Sequence, residues 1–101
     1  MEAVIVSAAE LRRRTVTFAS LEADGEAFVD TRVPGSTPKF NFGVIGPGVA
    51  QGAASRTRLT EPHGFNLGAA AMPHGVTNNL HLHFTAEVFT VFRGSWTFRW
   101  G

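Results

Sequence analysis

At 101 residues with a net charge of +1, the chain forms one small domain at most, and its 44% apolar and 17% charged content excludes a disordered protein. The absence of Cys excludes disulfides and thiolate metal sites, so any metal falls to His, Asp, Glu or backbone oxygen. The N-terminus lacks the basic start and apolar stretch of a signal peptide, no apolar run approaches a membrane span, and the basic residues are scattered; a cytoplasmic protein with no membrane or nucleic-acid partner is expected.

Ser7-Ala8-Ala9-Glu10 has capping-box spacing, and Leu11 with Arg12, Arg13 and Arg14 continues it with good helix formers, which predicts a short helix from about Ser7 to Arg14 with a solvated basic end. From Thr15 to Leu21 two patterns compete: Val16 and Phe18 alternate with Thr, while Leu11, Phe18 and Leu21 fit one helical face. Asp24-Gly25 reads as a turn, Phe28 to Val33 as an extended segment, and Pro34-Gly35-Ser36 as its end.

From Lys39 onward the pattern is all-β. Phe40, Phe42 and Val44 alternate with Asn41 and Gly43, and Gly46-Pro47-Gly48 closes the run. Gln51 to Arg56 is small and polar and is expected to be a surface loop. Phe65 to Met72 is a second strand, whose Gly68-Ala69-Ala70-Ala71 run predicts close packing against another layer. Leu80 to Phe84 is a third and Glu87 to Arg93 a fourth. Trp96, Phe98 and Trp100 alternate with Thr97 and Arg99 in a fifth, which predicts one buried face. Nine Phe and two Trp in so short a chain favour sheets, and short strands separated by Gly and Pro point to a sandwich or barrel.

The chemistry concentrates in Gly75-x5-His81-x-His83-x3-Glu87-x6-Gly94. In a strand, side chains two apart share a face, so His81 and His83 point together while Leu82 points away. Two imidazoles and a carboxylate can hold a borderline divalent ion and leave coordination positions open. Three ionisable groups brought together inside a barrel would be costly without a cation to pair them. At the turns on either side, Gly75 and Gly94 are suited to positive φ.

This spacing resembles, at every signature position, the first conserved motif of the cupin superfamily. Five fixed residues at these offsets arise by chance in fewer than about one in 10⁴ chains of this size. The resemblance covers Phe65 to Gly101, and more loosely Lys39 onward. It implies a jelly-roll fold, that is, a double-stranded β-helix, with His81, His83 and Glu87 ligating a divalent ion inside the barrel. Residues 1–36 then form an N-terminal extension with a short helix, and residues 37–101 the N-terminal part of a single barrel. Cupins also carry a second motif, G-x5-P-x-G-x2-H-x3-N, which brings a further His to the metal. Only Ser95 to Gly101 follow Gly94, so that motif is not in this chain. A jelly roll needs about eight strands and this pattern supplies four or five, so the barrel is expected to be incomplete at its C-terminal side. The chain is then either a fragment of a longer protein or a natural half-barrel completed by a second copy.

The resemblance implies a mononuclear metal-dependent enzyme, dioxygenase-like with iron(II) favoured over manganese, zinc or nickel, acting on a small organic molecule. Isomerisation and other Lewis-acid chemistry would use the same ligands. Phe84 beside the ligands and Arg93, which shares strand parity with Glu87, are the candidate substrate-binding residues. The other reading is a non-catalytic cupin that binds a metal or small ligand as a sensor or accessory domain. A homodimer is expected in either case.

Overall fold

The computed structural model describes residues 2–46 and 57–101. It has one α-helix, α1 (Ala8–Arg13), and three strands, β1 (Phe40–Ile45), β2 (Thr57–Leu59) and β3 (Leu67–Ala71), in a mixed sheet of order β2-β1-β3. This is a small β-rich arrangement. No helix among the described residues is long and apolar enough to cross a membrane.

The helix forms where its cap places it. Ser7 is extended, at φ −68° and ψ 155°, and its hydroxyl accepts from the Glu10 amide at 3.1 Å, satisfying one of the free donors of the first turn. The other half of a capping box is replaced by ion pairing: the Glu10 carboxylate turns toward Arg13 at 2.7 Å and Arg14 at 2.6 Å. Arg13 also reaches Glu61, beyond β2, so the basic end of α1 is paired across the fold. The ambiguous stretch that follows resolves into a single 3-10 turn, Phe18–Ser20, whose Phe18 ring packs on Phe42 of β1 at a centroid distance of 5.1 Å.

Phe28 to Val33 is not extended as expected. Val29–Arg32 winds into a second 3-10 turn, in which Thr31 donates both its amide and its hydroxyl to the Phe28 carbonyl. A local hydroxyl-to-carbonyl bond of this kind competes with strand pairing, and the β-branched composition that suggested a strand is overridden. Gly35, at φ +87°, then turns the chain, and a cis Thr37–Pro38 bond precedes β1.

β1 is the centre of the sheet. On one edge it pairs antiparallel with β3, from Phe40 opposite Ala71 to Ile45 opposite Leu67, with an extra residue at Val44 between the Gly43–Gly68 and Ile45–Leu67 pairs. On the other edge it pairs parallel with β2 at Gly43–Thr57 and Ile45–Leu59. Asp24 extends that edge, exchanging two backbone bonds with Asn41 at 2.8 and 3.0 Å. The small residues of β3 serve β1 itself: a Cβ at Gly68 would come to 3.4 Å from the Phe42 carbonyl. No further layer covers β3, most of which is exposed. The expected Gln51–Arg56 loop lies outside the described residues, as do Pro47 and Gly48.

Little apolar surface is withdrawn from water. Among the described residues Ala27 is the one fully buried apolar side chain, and the other two buried side chains are polar, Ser36 and Lys39. The Lys39 ammonium donates to Asp30 and Asn78, each at 2.6 Å, and lies 5.8 Å from the Phe28 ring centroid. The radius of gyration is 15.9 Å, against about 13 Å for a compact chain of this length.

The largest difference from the sequence-based expectation lies after Ala71. The segments Leu80–Phe84, Glu87–Arg93 and Trp96–Trp100 carry strand patterns but form no strand. A period-2 pattern states which face a strand would bury; the strand itself exists only when a neighbour accepts its backbone hydrogen bonds. Here β1 has both edges taken, and the segment has no free partner within the described sheet. Leu80, Leu82, Phe84, Val88 and Phe92 consequently stand largely in solvent.

Candidate metal centre

The two glycines that bracket the candidate site adopt the backbone expected of them, with φ +85° at Gly75 and +81° at Gly94. Gly75 follows His74 in a turn closed by the Val76 amide on the Pro73 carbonyl. The chain then meets three successive anchors: the Thr77 amide donates to the Gly35 carbonyl at 2.9 Å, the Asn78 side chain accepts from Lys39, and the Asn79 side chain donates to Ser36 Oγ at 3.2 Å. The ligand-bearing stretch is therefore tied to the polar centre of the fold on its N-terminal side.

Beyond those anchors the side chains come together without a strand. The His81 and His83 rings lie edge to face, 4.7 Å between centroids. His83 Nε2 is 3.1 Å from Glu87 Oε2, four residues on, both side chains being about one-third exposed. His81 Nδ1 donates to the Asn79 carbonyl at 2.6 Å. In the neutral imidazole that bond puts the proton on Nδ1 and leaves Nε2 with a free lone pair, the form a metal-ligating nitrogen requires.

The donor chemistry is suited to a divalent ion: two imidazole nitrogens and a carboxylate are ligands for zinc, iron, manganese or nickel. The arrangement is that of two contacting pairs joined through His83. Among the described residues, no group of three or more His, Asp or Glu side chains is already placed to hold an ion. The His83–Glu87 contact is attractive only with a proton on the imidazole, so a cation and that proton compete for the same lone pair.

The two substrate-binding candidates do not join this group. Phe84 is 100% exposed and walls no pocket. Arg93 takes part through its backbone, its carbonyl accepting from Trp96 Nε1 at 3.3 Å. A cavity of about 200 Å³ opens elsewhere, between the Phe18–Ser20 turn and the sheet, lined by Ser20, Leu21, Glu22, Gly43, Thr57 and Arg58. His63, beside Gly64, accepts or donates through Nδ1 at the Glu61 carbonyl, 2.6 Å away, and packs near Phe65.

Sequence reasoning missed the Ser36, Lys39 and Asn79 contacts. Their signal is weak: a Ser and a Lys flanking a proline turn, and an Asn pair before the His pair, most simply read as loop residues. No family model matches the chain, and comparison with curated proteins and with solved structures gives no match.

Proposed function

We propose that this chain is a metal-binding cupin-type domain in which His81, His83 and Glu87 hold a single divalent ion, iron(II) favoured, in a dioxygenase-like enzyme acting on a small organic molecule. The observation that carries this reading is the convergence of the three side chains, with a 4.7 Å imidazole–imidazole separation and a 3.1 Å imidazole–carboxylate contact. When bound, such an ion supplies Lewis-acid polarisation of a substrate oxygen or, as iron(II), activation of dioxygen. His81 contributes a nitrogen whose tautomer is set by the Asn79 carbonyl, and Glu87 contributes the negative charge that offsets the cation. The jelly roll belongs to the same proposal: the alternating segments after Leu80 become sheet strands once a partner edge is offered.

That partner is a second copy of the chain. The accessible surface of 8768 Å² exceeds the roughly 5,600 Å² of a compact monomer of this mass by about 3,000 Å². An excess of that size falls in the range of interfaces between obligate partners.

A second reading, a non-catalytic metal- or ligand-binding domain, is favoured by the partial exposure of His83 and Glu87, because dioxygen chemistry calls for a site shielded from bulk water. One experiment addresses both. Metal content is measured after incubation with iron(II) under anaerobic conditions, for the wild type and for His81→Ala/His83→Ala. About one ion per chain in the wild type and none in the variant is the expected result; equal content in both defeats the ligand assignment. Oxygen uptake sustained over many turnovers then separates the enzyme from the binding domain.

A further inference from the structure

The described structure holds one polar centre that the proposed chemistry does not by itself explain. Ser36 and Lys39 are withdrawn from water as completely as the only buried apolar side chain, Ala27. Burying a hydroxyl and an ammonium is unfavourable unless each finds partners, and here the partners converge on one short stretch of chain. Gly35, Ser36 and Lys39 bind Thr77, Asn79 and Asn78 respectively, three residues in a row. Asp30 braces the ammonium from the other side at 2.6 Å. What this clamp holds is the peptide immediately before the imidazole pair.

We propose that Ser36 and Asn79 are positioning residues for His81: the buried Ser36 hydroxyl fixes the Asn79 side chain, and the Asn79 carbonyl so held fixes the His81 ring in its Nδ1–H tautomer with Nε2 presented. The inference rests on reading His81 as a ligand, and it assigns the orientation of that ligand to residues more than 40 positions earlier in the chain. The relay is short and continuous, from Ser36 Oγ to Asn79 Nδ2 at 3.2 Å and from the Asn79 carbonyl to His81 Nδ1 at 2.6 Å. His83 is held differently, by Glu87 through Nε2, so the two imidazoles have separate supports. Free imidazole side chains favour no single ring orientation, and groups that hold the second ring nitrogen of a ligating His are worth about 10- to 100-fold in metal affinity. Lys39 and its partner Asn78 make the clamp rigid without touching His81.

The test uses the whole chain. Asn79 is exposed, so Asn79→Ala removes the bond to Ser36 without opening a buried space. Asn79→Asp restores a partner for the Ser36 hydroxyl, which then donates to the carboxylate. In the metal-free protein, the nitrogen shifts of histidine-labelled samples at about pH 8.5, where imidazole is ordinarily neutral, report the tautomer of each ring directly. The expected result is a single Nδ1–H form of His81 in the wild type, a mixture in Asn79→Ala, and return of the single form in Asn79→Asp. The His83 signals should keep their wild-type tautomer throughout. Cobalt(II) titrated as the probe ion should bind about 10- to 100-fold more weakly to Asn79→Ala than to the wild type or Asn79→Asp. An unchanged His81 tautomer in Asn79→Ala overturns the proposal, and so does unchanged cobalt(II) affinity in that variant. If the wild type itself takes up no cobalt(II), the metal reading of this site falls, while the tautomer measurement still decides whether Ser36 and Asn79 orient the ring.

Discussion

Two positions show how single side chains decide this fold. Gly46, just after β1, has φ +86°, and its amide donates to the Leu59 carbonyl at 2.7 Å. A Cβ there would meet the Asn66 amide group and stand 3.1 Å from the Phe65 carbonyl. Gly46→Ala therefore combines a left-handed backbone strain with a clash against chain that cannot easily retreat, and should cost about 1–3 kcal/mol in chemical denaturation. Gly35, also at positive φ but with open space around it, should lose less on the same substitution. Lys39 makes the complementary case. Its ammonium is almost wholly buried against Asp30, and Lys39→Met leaves that carboxylate without its counter-charge. Removing one member of a buried pair typically costs about 3–5 kcal/mol, and since Asp30 keeps some solvent contact the lower end is expected here. Lys39→Met/Asp30→Leu should recover part of that loss, because the strandedness of the charge, rather than the pair itself, sets the penalty. A double variant no more stable than Lys39→Met would contradict this account.

At the scale of elements, α1 is too short to persist alone and depends on its cap and its ion pairs. The Arg13 guanidinium hydrogen-bonds both Glu10 and Glu61 and holds each carboxyl below its ordinary 4.5, while Arg13 itself is pushed upward mainly by Glu10. Because both folded carboxyl groups titrate below their unfolded value, their contribution is complete above about pH 4.5 and is lost as pH falls through the lowered folded values. The α1 amides should thus show faster hydrogen exchange below pH 4.5 once intrinsic rates are divided out, and added salt should reproduce part of the effect at neutral pH because the groups are exposed. Glu61→Gln should flatten that acid response; a variant that responds like the wild type would sever the link between α1 and the segment after β2. The elements were legible to unequal degrees, and the reasons are local. Ser7 announces α1 because its hydroxyl has one use, and Phe40, Phe42 and Val44 announce β1 because their alternation already describes a half-covered face. β2 has only Thr57, Arg58 and Leu59, too few to show a period, and it exists because β1 offers an edge. Val29–Arg32 carried strand-forming composition, but Thr31 found a carbonyl within its own turn. For the candidate site, the parity of His81 and His83 correctly brings the rings side by side, though a clamp at Asn79 achieves what a strand ladder was expected to do.

For the molecule as a whole, the decisive quantity is the apolar surface left in water after Ala71. Phe89 and Phe98 pack on each other at 5.3 Å, so the segment has begun a cluster, yet Leu82, Val88, Phe92 and Trp100 remain outside it. Burial stabilises by about 25 cal/mol per Å² of apolar area, so covering even 1,000 Å² of this surface would exceed the usual cost of bringing two chains together. A second copy offers the same patterned segments, and pairing them would satisfy backbone groups and side chains at once. Sedimentation velocity should accordingly show mass rising from one chain toward two as concentration increases through the micromolar range. Phe92 gives the discriminating substitution: it is 95% exposed, so Phe92→Lys removes no contact within the monomer and leaves the helix and the three-stranded sheet as they are. The variant should stay monomeric at concentrations where the wild type dimerises, with unchanged denaturation of the β1–β3 sheet. If instead both sediment as monomers with dye-accessible apolar surface, the segment is not completed by a second copy, and the jelly-roll reading of residues 80–101 loses its physical basis.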